Sequence, residues 1–122
     1  MKYNVVEKLN KKYLEFNGAS NEQIKSEQDS LDIISSCWES DVYNVLLHEE
    51  ILSDDFFNLR TKLAGMILQK FINYRIKMVI VLNNEDRVND RFREMMLESN
   101  KGKALGVFMD KSEAENWLLD IK

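Results

Sequence analysis

The sequence predicts an α/β domain: a mostly parallel, mixed five-stranded sheet with about four helices and a β-hairpin at its start. Three observations predict it. Short apolar runs alternate with longer segments whose apolar residues recur at helical spacing, the pattern of successive βαβ units. The runs 42–47 and 78–82 are apolar at nearly every position, as in strands buried on both faces. The 122 residues, 44% hydrophobic and 31% charged, suit a single soluble domain, here read as residues 1–122.

Each element has its own signal. Residues 2–8 and 12–16 read as two short strands joined near Leu9-Asn10-Lys11. Asn17-Gly18 ends that hairpin, and the polar stretch to Lys25 reads as a loop. Residues 26–38 read as the first helix, with Leu31, Ile34 and Trp38 on one face and Ile33 and Cys37 beside them. Ser26 is its expected cap, with Asp29 three residues on. A strand over 42–48 follows, interrupted only by Asn44.

The longest periodic stretch is 54–74, with Phe56, Leu59, Leu63, Ile67 and Phe71 on one row and Phe57, Ala64, Leu68 and Ile72 on a second. It reads as one continuous helix, with Ser53 as a side-chain N-cap and Asp54 and Asp55 at the positive end of its dipole. Gly65 inside it costs about 1 kcal/mol relative to Ala. Either another element packs closely there, or a ligand or partner approaches the backbone. The helix feeds an apolar strand, 77–82, bounded by Asn83-Asn84.

A third helix is expected over 86–99, with Val88, Phe92, Met95 and Met96 as its stripe and Gly102 near its C′ position. The last strand is 104–109, where Gly106 marks a bulge or a close backbone approach. Ser112 and Glu115 have capping-box spacing and open a final helix through Trp117, Leu118 and Ile121.

Bulk properties narrow the partners. A net charge of -4 argues against nucleic acid or an anionic membrane as the partner. No apolar run approaches membrane-spanning length and the start does not read as a signal peptide, so a cytoplasmic location is expected. Cys37 is the single cysteine, which excludes an internal disulfide. It reads as a small buried hydrophobe, with no basic residue near it in sequence to lower its pKa.

In an open α/β sheet, ligands lie outside the carboxyl ends of the strands. Those ends here carry His48, Glu49 and Glu50, then Ser53, Asp54 and Asp55, then Asn83 and Asn84, with Asp86 and Asp110 nearby. This acidic rim is the candidate binding site. It could hold a divalent cation or support acid–base work by His48. Its acids also suit plain helix N-termini and solvated loops. The lone His lacks ligand spacing, and no orienting partner or nucleophile is evident around it, so no catalytic residue, metal ligand or cofactor is assigned. Phosphate-binding glycine motifs are missing. Arg87, Arg91 and Arg93 read as a group on the third helix, with Glu94 and Glu98 to pair with them.

Phe56-Phe57-Asn58-Leu59, Leu63-Ala64-Gly65, Ile67-Leu68-Gln69-Lys70-Phe71 and Asn73-Tyr74-Arg75, with Glu98-Ser99-Asn100-Lys101-Gly102, resemble a bacterial family catalogued as domain of unknown function 4180. The resemblance covers nearly the whole chain and implies no established activity. Where the family tends to have a small residue and an acid after the central strand, this chain has Leu82-Asn83-Asn84. The element order is also similar to the STAS (SpoIIAA-like) fold, which implies strands laid side by side in chain order. That fold switches partners by phosphorylating a serine at a helix start. Ser53-Asp54-Asp55-Phe56 is not its motif, so only the architecture is implied.

The expected function is therefore that of a binding or regulatory domain with a protein partner. The alternative is a small-molecule or metal-binding domain, or an enzyme, acting at the acidic rim. A homodimer is expected as well, because both faces of the sheet ask for cover. The alternative within one chain is that the last helix crosses over to fill the second face.

Overall fold

The structure, a computed structural model, describes residues 1–19 and 21–121. Five strands form one sheet in the order β1-β2-β3-β4-β5, so they lie side by side in chain order. β1 (Asn4–Lys8) pairs antiparallel with β2 (Lys11–Phe16). β3 (Asn44–His48), β4 (Lys77–Val81) and β5 (Leu105–Phe108) then join β2 in parallel. The hairpin turns at Leu9 and Asn10, whose φ of 52° and 65° suit the twist of the strands they join.

Among the described residues five α-helices accompany the sheet: α1 (Glu27–Ser40), α2 (Asp54–Phe57), α3 (Leu63–Asn73), α4 (Asp90–Asn100) and α5 (Lys111–Leu118). The expected continuous helix over 54–74 is thus corrected to two helices with a break between them. Asn58 Oδ1 accepts from Arg60 N at 3.1 Å, and Thr61 Oγ1 donates to Asp55 O at 2.6 Å. These short side chains offer the backbone local partners that compete with the helix. Lys62 then takes a φ of 64°, which ends one turn and starts the next. The apolar spacing was real all the same: Phe56, Leu63, Ile67 and Phe71 are buried in one core.

Several ends also differ. Asp110, not Ser112, caps α5 by accepting from Glu113 N. α4 begins at Asp90 behind the Asn89 cap, because Glu85–Arg87 forms a separate 3₁₀ turn. Gly102 follows the α4 cap without a left-handed conformation. Ser26 caps α1 as expected, accepting from Asp29 N at 3.4 Å. The buried face of α1 is Ser30, Ile33, Ile34 and Cys37, and Trp38 lies on the exposed side.

α1 and the helices after β3 and β4 pack on one face of the sheet. There α1 to α4 bury the larger core, around Leu14, Val45, Ile67, Phe71, Met78 and Ile80. The opposite face is closed by α5, through Ala114, Leu118 and Leu119 against Leu46, Val79 and Val81. The second face, whose exposure motivated the dimer, is covered within the chain by its last helix. Gly106 allows this: a Cβ there would lie 2.9 Å from the Phe108 and Trp117 rings. The β4–β5 register runs through Gly106 without a bulge, so close approach is the reason for the glycine.

Candidate functional site

The carboxyl-terminal rim is built by two loops. β3 runs into a 3₁₀ turn (Glu49–Ile51) and α2, and β4 runs into the 3₁₀ turn Glu85–Arg87 and α4. Glu49 is buried, at 6% exposure, and is held by two backbone donors. Its Oε1 accepts from Asn83 N at 2.7 Å and Asn84 N at 2.9 Å. A buried carboxylate needs such partners, and here it ties one rim loop to the other. Arg87 completes the tie. Its guanidinium donates to Glu49 O at 2.9 Å, Leu52 O at 2.8 Å and Asp54 Oδ1 at 3.2 Å. It also lies 4.4 Å from the centre of the Phe57 ring, a cation–π distance.

His48 takes no part in that cluster. Neighbouring strand residues point to opposite faces, and His48 lies towards α5. Its Nε2 is 2.7 Å from Glu15 Oε2, and Lys111 Nζ is 2.7 Å from the same oxygen. No orienting partner for His48 is evident in the sequence around it, and the structure brings one from β2, 33 residues upstream. Burial pushes the Glu15 carboxyl up, but the hydrogen bonds and charges of Lys111 and His48 outweigh it and hold the group below the usual range. Close by, Tyr13 donates to Glu115 at 2.5 Å and Lys8 Nζ to the same carboxylate at 2.8 Å. Burial first, and then the Glu115 carboxylate, push the Tyr13 phenol well above its ordinary range.

The other rim residues have separate tasks. Ser53 sits at the start of α2, but its buried hydroxyl donates to Ile24 O at 2.8 Å rather than capping the helix. The side-chain cap expected of Ser53 is corrected accordingly: the hydroxyl fastens the loop before α1, where Ile24 bridges Leu52. Asp54 reaches Arg87, whereas Asp55 and Glu50 are exposed. Asn84 accepts from Asp86 N at 3.0 Å. The rim therefore gathers Glu49, Asp54, Asn83 and Asn84 around Arg87, and leaves His48, Glu50, Ser53 and Asp55 outside that cluster. Among the described residues, no three His, Cys, Asp or Glu side chains are grouped to hold a metal ion. Cys37 is buried, and burial pushes its thiol up to about 12, far from a nucleophilic thiolate at neutral pH.

Two features lie outside the expected rim. The first surrounds Gly65, which is exposed. A Cβ there would meet nothing within 4 Å, so the close packing expected at this glycine is absent. Beside it lies an apolar void of about 90 Å³ lined by Phe56, Leu59, Leu68 and Met95. Leu59 also borders an open groove of about 640 Å³ with Asn58, Arg60, Asn89, Asp90 and Arg91 along it. The second is at the other end of the helices. Trp38 is 54% exposed and meets Tyr74, itself 39% exposed, edge-on with 5.4 Å between ring centres.

Residues 8–118 match the family described as domain of unknown function (DUF4180). The chain belongs to this family. The matched span runs from the last residue of β1 to the last of α5, so both rim loops, the Gly65 void and the Trp38–Tyr74 pair fall inside the family domain. No curated protein and no solved structure matches the chain. No helix among the described residues is long and apolar enough to cross a membrane.

Sequence reasoning missed Glu15, Lys111 and the role of Arg87. Glu15 left a signal, since a carboxylate two residues after the inward Tyr13 demands a partner on the same face. Nothing local names His48 or Lys111 as that partner. Arg87 was grouped with Arg91 and Arg93 on one helix, whereas it stands before α4 and turns back onto the β3 loop.

Proposed function

We propose that this family domain works by binding a protein partner, and that the Trp38–Tyr74 end is where the partner docks. The observation that carries the reading is the exposed aromatic pair. Trp is a large apolar side chain, and here it is more than half exposed with a Tyr ring packed edge-on against it. Trp and Tyr supply much of the energy at protein interfaces because they bury a large area at little cost in rotamer entropy. Ile72 and Tyr43, also exposed, lie within five residues of the pair in the chain. Together they widen the apolar surface at the carboxyl ends of α1 and α3.

The rim supports a structural role instead. Glu49 and Arg87 bind backbone atoms of both loops, so their polar groups serve the fold. The test is affinity capture from the native host after in-cell crosslinking, with wild type compared against Trp38→Ser/Tyr74→Ser. A stoichiometric protein held by wild type and lost from the variant is the expected result. A partner retained equally by the variant would move the docking site elsewhere.

A further inference from the structure

We propose that the Gly65 void and the groove beyond Leu59 are the two halves of one site for a short aliphatic carboxylate. The hydrocarbon tail enters the void, and the carboxylate lies in the groove beside Arg60 and Arg91. This goes beyond the protein-docking reading and does not depend on it.

The void fixes the tail. Its walls are Phe56, Leu59, Leu68 and Met95, and it measures about 90 Å³. At roughly 30 Å³ for a methylene-sized or water-sized group, that is room for about three groups. An apolar cavity stays dry and takes apolar guests. The unbranched Met95 side chain adapts to the guest's shape. Gly65 keeps the mouth open. Helix propensity favours alanine there, though by less than the ~1 kcal/mol of a helix interior because Gly65 stands in the first turn of α3, and no neighbour forbids a Cβ. Neither helix stability nor packing accounts for the glycine, whereas access to the void does.

The groove fixes the head. Leu59 borders both spaces, so a tail seated behind it delivers its polar end into the groove. Arg87 is committed to Glu49 and Asp54. Arg60 and Arg91 are exposed and form no ion pair among the described residues. Asn58 and Asn89 already use their side-chain oxygens, accepting from Arg60 N and Phe92 N, so each brings an NH₂ donor to the same groove. Asp90 is the one acid on this wall. The balance favours an anion, and two guanidinium groups suit a carboxylate's paired oxygens. A chain of three or four carbons ending in a carboxylate spans both halves.

The test uses the full chain, labelled on backbone amides and Met methyls, titrated separately with pentanoate, 1-pentanol and acetate. Pentanoate is expected to give saturable shifts at Gly65 and Met95. The neutral alcohol and the tailless acid should each bind at least about tenfold more weakly, the scale of one charge-assisted bond or a few buried methylenes. Gly65→Leu should plug the mouth and abolish pentanoate binding while the circular dichroism stays that of wild type. Arg60→Gln/Arg91→Gln, on an exposed wall, should lower pentanoate affinity to that of pentanol. The proposal is overturned if no probe gives saturable shifts. It is equally overturned if pentanol or acetate matches pentanoate, or if either variant binds pentanoate as wild type does.

Discussion

On one face of the sheet, α1 to α4 lay Ile33, Cys37, Phe56, Ile67, Phe71 and Phe92 over the strands in a continuous apolar layer. On the other, α5 alone supplies Ala114, Leu118 and Leu119, and polar groups pin it in place. Lys8 and Tyr13 hold Glu115, Lys11 donates to Leu119 O at 2.7 Å, Lys77 donates to Trp117 O at 2.9 Å, and Lys111 pairs with Glu15. A helix of eight residues buries too little to rest on apolar contact alone. Its directional bonds fix where it sits. The larger layer rests more on area, with polar ties at its margins such as Asn100 to Val107 and Lys70 to Glu27. The two faces should therefore fail differently, the first through lost volume and the second through lost fit or lost charge.

The largest expected effect is on the four-helix face. Phe71→Ala removes a ring with no exposed surface from the last turn of α3. A truncation of that kind costs about 3–5 kcal/mol, from lost transfer energy and the cavity left behind. Urea denaturation at neutral pH measures it directly. A loss below 1 kcal/mol would mean that the layer collapses onto the gap and is not close-packed.

The second effect tests fit on the α5 face. Gly106→Ala puts a methyl 2.9 Å from the Phe108 and Trp117 rings, so α5 must lift or the rings must turn. Overpacking of this kind costs about 1–3 kcal/mol. Lys77 Nζ sits 4.5 Å from the centre of the Trp117 ring, so a displaced helix should also change the Trp117 fluorescence. Trp38→Phe as the background isolates that signal. An unchanged spectrum with wild-type stability would show that α5 is looser than its bonds imply.

The difference between the faces also explains what the sequence disclosed. Apolar layers announce themselves by spacing, and Phe56, Leu63, Ile67 and Phe71 were readable as one stripe although the backbone beneath them breaks. The break itself rests on side-chain bonds from Asn58 and Thr61 and on the left-handed Lys62, where no glycine flags the turn. The α5 face rests on partners far apart in the chain, such as Lys8 with Glu115 and Glu15 with His48 and Lys111. Spacing carries no information about those. Strand direction alone put the rim residues after the carboxyl ends of β3 and β4, where the structure also has them. Which of its residues face one another was set by the strand alternation at His48 and Glu49 together with Arg87, a residue the sequence reading puts on the third helix and the structure puts in the turn before it.

The third expectation is acid sensitivity on the α5 face. Glu15 and Glu115 both titrate below the usual carboxylate range in the folded protein. In each, burial opposes ionisation and the neighbouring donors outweigh it: Lys111 and His48 for Glu15, Lys8 and Tyr13 for Glu115. A folded-state pKa below the unfolded one means that the folded protein binds fewer protons. The stability these groups add is then complete above about pH 4.3–4.5 and is lost as pH falls through the folded values. Melting temperatures from pH 7 down to pH 3 should drop most steeply in that acid range. Glu15→Gln should cost about 1 kcal/mol at pH 7, as expected for a partly exposed pair, and should flatten the acid limb. An identical acid limb in the variant would assign the pH dependence to other carboxylates.

The smallest effect has the opposite sign and lies at an open place on the four-helix face. Gly65 stands in the first turn of α3 with nothing within 4 Å of where its Cβ would be. Its φ lies outside the left-handed region, so alanine can adopt the same backbone. Gly65→Ala then removes conformational freedom from the unfolded chain and improves helix propensity, with no clash to set against the gain. The expected outcome is a stabilisation of about 0.5–1 kcal/mol. At the size of this domain that raises the melting temperature by a few degrees. Gly106→Ala is the paired measurement, the same chemical change on the opposite face with the opposite expected sign. If Gly65→Ala destabilises instead, α3 and α4 sit closer together in solution than here. The void would then be filled by neighbouring side chains, and the four-helix face would be as tightly closed at Gly65 as the α5 face is at Gly106.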